Sequence, residues 1–170
     1  MFLLPIAFQG QDGIRALREE QVAQEAQLRP RAGQRSRAGQ SELVWRALKL
    51  EDYLIDFNWL VGAETEWSVA YAVAYLQSET TQTNVVLKVG SDDESRVYLN
   101  GKLVHECLLA REYRADEDIV GGMELKAGLN VLVFKVVNEI ARWQGSVRFT
   151  DADGNPLKGI RVTLDPEGKE

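Results

Sequence analysis

The dipeptide Asn100-Gly101, flanked by the alternating runs 97–99 and 103–105, constrains this chain more than any other feature. Asn and Gly both tolerate positive φ, which a two-residue turn between right-twisted strands requires, so the segment 85–104 predicts a tight β-hairpin. The surrounding sequence has the same period of two. In residues 67–76, Val69, Tyr71, Val73 and Tyr75 fall on one face and Ala70, Ala72 and Ala74 on the other, a strand with one small-residue face. Residues 84–89 form a β-branched run followed by a polar loop at 90–95, and Lys126-Ala-Gly leads into the apolar run 131–137, expected to be a strand buried on both faces. Residues 145–150 and 159–164 alternate around the Gly, Asn and Pro of the loop between them and predict a closing hairpin. Short strands at intervals of about ten residues, without βαβ spacing, predict an all-β antiparallel sandwich of jelly-roll type.

The first forty residues read differently. Residues 1–8 are apolar but too short to span a bilayer, which takes ~20 residues; they are either the remnant of a signal-peptide hydrophobic region or a docking segment. In residues 11–28, Ile14, Leu17, Val22, Ala26 and Leu28 lie roughly on one stripe, which predicts a short amphipathic helix. Residues 29–40 are rich in Arg, Gly and Gln and read as a linker or a wrapped arm. The expected division is therefore a helical or extended arm at 1–40 and a sandwich at 41–170. The arm carries six arginines and four acids, a net of +2; the chain as a whole carries −6, which leaves −8 for the sandwich. That charge disfavours nucleic acid, whose binding rests on Lys and Arg neutralising phosphates. Ile14, Leu17, Arg29, Arg31, Arg35 and Arg37 are the candidate contacts through which the arm would dock on another protein chain, the alternative for the arginines being a solvated linker.

Catalytic patterns are missing. No G-x-S-x-G elbow, H-E-x-x-H pair or phosphate-binding Gly loop occurs, and the single histidine, His105, falls at the far end of the hairpin. Cys107 is alone, which excludes an intrachain disulfide or a multi-thiolate metal site. The acid pairs Asp92/Asp93, Asp116/Asp118 and Asp151/Asp153 have turn stabilisation as their ordinary role. Sugar binding needs an exposed aromatic face with a few polar partners. Trp59, Trp67 and Trp143 are the candidate platforms, with Trp143 first because it follows Asn138 in a stretch between strands; Arg142, Asn138 and Arg111 would be its polar neighbours. The competing role for each tryptophan is a plug in the core.

The words LKVGSDDESRVYLNGKLV at 87–104 and LKAGLNVLVFKVVN at 125–138 resemble galactose-binding-like jelly rolls, in particular the sugar-binding domain of family 2 glycoside hydrolases. With Asp56-Phe-Asn and the strand at 69–73, they are also similar to jelly-roll modules of large bacterial secreted or surface proteins of planctomycete type. The likeness covers roughly residues 45–166. It implies a non-catalytic accessory domain that binds a polysaccharide or other glycan, in an extracellular, periplasmic or cell-surface location, or else a scaffolding module within a larger assembly. Gly90-Ser-Asp-Asp further resembles the protective-antigen-type sugar-binding domain, in which a neighbouring Asp pair binds calcium; the rest of that pattern is not evident. It makes Asp92 and Asp93 the candidate calcium ligands, and no other cofactor is implied.

Overall fold

A computed structural model, which describes residues 1–168, is an all-β sandwich with antiparallel strand pairing throughout. The central layer is a six-stranded sheet. Its long strands β5 (Ser68–Ser78) and β10 (Gly128–Asn138) pair along their whole length, and β10 pairs on its other side with β7 (Ser95–Leu99), which continues to β8 (Lys102–Cys107). The free edge of β5 is shared end to end by β1 (Phe2–Ala7) and β12 (Ile160–Thr163). The second sheet runs β4 (Ile55–Asp56), β11 (Gln144–Thr150), β6 (Gln82–Asp92), β9 (Asp118–Leu125).

The expected hairpin is β7–β8, with Leu99 opposite Lys102, and both turn residues have positive φ, Asn100 at 52° and Gly101 at 83°. Its turn is clasped to the first residues of β10: the Asn100 side-chain amide donates to Asn130 Oδ1 at 2.9 Å, and Asn100 Oδ1 accepts from the backbone N–H of Val131 at 2.9 Å. The two sequence words that carry the family resemblance thus meet through these two asparagines.

The central sheet is covered on both faces. The face of Ala70, Ala72, Leu132, Phe134 and Val136 packs on the second sheet, where Leu87, Val89 and Trp143 complete the core. The opposite face of Val69, Tyr71, Val73, Tyr75, Val133 and Val137 is covered by the amino-terminal segment, through Leu17, Val22, Ala38 and Trp45. Residues 130–138 of β10 are accordingly buried without interruption, as expected of a strand with two covered faces.

That second layer corrects the division at residue 40. Residues 1–8 are not a detachable apolar stretch: β1 is hydrogen-bonded into the central sheet. The boundary at 40/41 falls in the turn of a hairpin between β2 (Arg35–Ala38) and β3 (Ser41–Val44). The helix expected over 11–28 is only one and a half turns, α1 (Gly13–Arg18), capped by Asp12, whose Oδ1 accepts from the Arg15 N–H at 2.9 Å. It stops because the carbonyls of Leu17 and Glu19 accept from the buried Lys135 ammonium, at 2.8 and 2.7 Å; a lysine of the sheet takes carbonyls that a longer helix would use.

Two further expectations change. Residues 90–95 are a buried corner rather than a polar loop, carrying the chain from β6 in one sheet to β7 in the other. The closing hairpin does not form, since β11 pairs with β6 and β4 while β12 crosses to pair with β5. Their connection is organised by Asp151, whose Oδ1 accepts from the backbone N–H groups of Asp153 and Asn155 at 3.0 and 2.8 Å. The loop's own amides thus occupy the carboxylate.

Candidate functional site

One end of the sandwich gathers most of the residues singled out in the sequence. Gln144 of β11 lies opposite Asp56 of β4 on one side and Asp92 of β6 on the other. Directly after β4 comes the short helix α2 (Phe57–Val61). Asp56 caps it, its Oδ1 accepting from the Trp59 N–H at 2.9 Å, and Gly62 ends it with a φ of 83°. Asn58 fastens it to its surroundings: its amide donates to Ala141 O at 2.8 Å, and its Oδ1 accepts from Thr65 N and Thr65 Oγ1 at 3.1 Å each. The result is a rigid pedestal for Trp59, which is 74% exposed. Arg142, also exposed, follows Ala141 in the adjoining loop, beside exposed Ile140.

The other candidates occupy different roles. Trp143 is 0% exposed and packs on Phe57, ring centroids 5.1 Å apart, so it plugs the core and has no free face for a sugar. Its position explains the change: β11 begins at the very next residue, and the ring turns inward with the core-facing side of that strand. Trp67 packs edge-to-face against Phe8 at 6.0 Å. Asn138 is buried at the end of β10 and donates to Thr65 O, which ties that strand to the segment before β5. Arg111 is paired with Asp118 and with Glu117 at 3.4 Å and reaches Ser91 Oγ at 3.3 Å, closing the 108–117 loop onto the sheet.

Asp92 and Asp93 are committed to the same closure. Asp93 Oδ2 accepts from the Glu139 N–H at 2.8 Å and the carboxyl is also held by the Arg111 N–H, while Asp92 receives the Tyr113 N–H. Among the described residues no group of three or more His, Cys, Asp and Glu side chains is placed to hold a metal ion. Burial pushes the Asp92 carboxyl up to about 6, helped by the charge of Asp93 and opposed by Arg142. Burial also pushes its neighbour Glu94 up to about 7, with Glu139 and Asp93 adding to the effect. The Glu94 and Glu139 carboxyl groups converge on Gly13, where a Cβ would lie 2.5 and 2.7 Å from them, so a larger residue there would force these side chains to move.

His105 pairs with Asp118 Oδ2 at 3.1 Å, and burial pulls the imidazole below its usual value against the pull of that carboxylate. Ser91 Oγ in the same network bonds to Ser95 and Arg111 rather than to the imidazole, so the nucleophile–base pair of a hydrolase is not formed there.

The arm candidates divide by side. Leu17 is fully buried on the sheet, which removes it as a contact for another chain, whereas Ile14 is partly exposed. Arg31 pairs with Glu167 at 2.6 Å and Arg35 with Glu42 at 2.7 Å, both at the surface, and Arg29 and Arg37 are exposed.

The feature that the sequence reading missed altogether is a buried polar cluster between α1 and the central sheet. Lys135, 0% exposed, pairs with Glu25 Oε2 at 2.8 Å, and the Tyr71 and Tyr98 hydroxyls donate to the same carboxylate at 2.5 and 2.7 Å. The one available signal was a lysine in the middle of an otherwise apolar strand.

Comparison of the chain with protein-family models, with curated proteins and with solved structures finds no match.

Proposed function

We propose that the chain is a non-catalytic glycan-binding module and that its contact surface is the end of the sandwich around Trp59. The observation that carries this reading is the exposure of one large aromatic ring on a helical turn fixed at both ends. An indole face held in water offers the stacking surface a pyranose ring needs, and preorganisation lowers the entropic cost of using it. Arg142 on the adjoining loop and the amide of Gln144 are the polar groups suited to sugar hydroxyls. Asp56, Asp92 and Asp93 at this end are engaged by backbone N–H groups, which favours binding over chemistry. The jelly-roll resemblance supports the same reading, and an extracellular or cell-surface location goes with it.

The test is a glycan array with and without calcium, run on the intact chain and on Trp59→Ala. The expected result is calcium-independent binding to a restricted set of glycans, reduced about tenfold by the substitution, equivalent to ~1.4 kcal/mol. Binding to no glycan refutes the function; an array profile unchanged in Trp59→Ala refutes the site.

A further inference from the structure

Away from the Trp59 end, the sandwich is not fully closed. A cavity of about 610 Å³ lies between the two sheets, bounded by the ends of β1 and β12 on the shared edge of β5 and by the loop 48–53. Its wall on the central sheet is Ala72, Ala74, Leu132 and Phe134, and Val147 faces them from the second sheet. The alanines, the small-residue face evident in the sequence, are what leave the space: interiors are ordinarily packed without voids larger than a water molecule. The rim is apolar as well. Leu48, Tyr53, Val162 and Leu164 all line the cavity and are exposed, four of the eleven large hydrophobic side chains exposed among the described residues. Apolar side chains grouped in this way mark a binding surface.

Lys49 stands at this rim, exposed, with no hydrogen bond or ion pair among the described residues. The acid beside it, Asp52, is turned to the backbone, its Oδ1 accepting from the Tyr53 N–H at 2.6 Å. We propose that this cavity binds a single-chain anionic amphiphile, a fatty-acid-like carboxylate whose tail lies against Ala72, Ala74 and Phe134 and whose head group meets Lys49. The volume falls within the ~300–1,000 Å³ of small-molecule sites. The walls are strands of two hydrogen-bonded sheets, so the space is preformed. A recess between sheets admits a flexible tail but not the flat face of a folded partner, and the unpaired ammonium selects the sign of the head group.

The experiment is isothermal titration of the full chain with dodecanoate below its micellar range and, in parallel, with dodecyltrimethylammonium. Saturable one-to-one binding of dodecanoate at micromolar concentration is expected, with the cationic amphiphile at least tenfold weaker. Ala74→Leu, which fills the recess, should lower dodecanoate affinity tenfold or more. Val162→Asp, at an exposed rim position that leaves the fold intact, should lower it severalfold, and Lys49→Gln should remove most of the preference between the two head groups. Trp59→Ala should change none of this, which separates the cavity from the glycan surface. The proposal is overturned by any of four results: no saturable binding, equal affinity for the two amphiphiles, affinity indifferent to both Ala74→Leu and Val162→Asp, or a concentration-dependent dimer that Val162→Asp dissociates.

Discussion

The two faces of the central sheet are covered in opposite ways. Toward the second sheet, Ala70, Ala72, Leu132 and Phe134 meet an apolar partner, and the contact leaves a recess. Toward the amino-terminal segment, Tyr71, Tyr98 and Lys135 reach out of the sheet to one buried carboxylate, Glu25, and to the carbonyls at the end of α1. Apolar contact is non-directional, so the sandwich face tolerates space. Buried polar groups need partners at fixed positions, so the opposite face admits one arrangement of the covering segment. The covering supplied by residues 8–47, most of which belong to the 1–40 stretch that reads as an arm in the sequence, is therefore the more strictly specified of the two.

The comparison breaks first at Lys135. Lys135→Met leaves Glu25 buried without its cation and should cost about 3–5 kcal/mol in urea unfolding. Adding Glu25→Gln to the same chain should recover a large part of that loss, because the uncompensated charge is gone; a double variant as unstable as the single one would show that the cluster acts by packing alone. Tyr71→Phe removes one bond to the same carboxylate and should cost about 1.5–3 kcal/mol. On the sandwich face, Leu132→Ile conserves volume where there is room to repack and should cost less than ~1.5 kcal/mol; a larger loss there than for Tyr71→Phe would reverse the comparison.

The smallest effect concerns pH. Glu94, 2% exposed, lies under α1 with its carboxyl raised to about 7 by burial, above the 4.5 of a free glutamate. A raised carboxyl means the folded chain holds a proton that the unfolded chain has released. Stability is therefore fully present below about 4.5 and is lost as pH rises through about 7. Glu94→Gln should leave the melting temperature nearly unchanged at pH 4.5 and raise it by a few degrees at pH 8, on the order of 1 kcal/mol. Equal shifts at both pH values would rule out titration as the cause.

Legibility in the sequence followed the range of the interaction. The β7–β8 hairpin, the doubly covered strand β10 and the small-residue face of β5 were readable, because positive φ at Asn100-Gly101 and side-chain alternation are local properties. At the candidate site the sequence named Trp59 and Arg142 but preferred Trp143. A tryptophan one residue before a strand is ambiguous until the register shows that its ring points at Phe57. The sign available for Trp59 was Asp56, a capping residue three positions earlier.

What the sequence determined by itself is thus the all-β class, the main hairpin and the alternation that gives the central sheet two usable faces. Only the tertiary structure decided what covers those faces. The segment 8–47 closes one through a lysine, a glutamate and two tyrosines drawn from positions as far as 110 residues apart. The second sheet closes the other and leaves a recess over Ala72 and Ala74. The physical reason is that turn geometry and pleat act over a few residues, whereas a buried ion pair and an unfilled volume exist only once distant strands have been brought together.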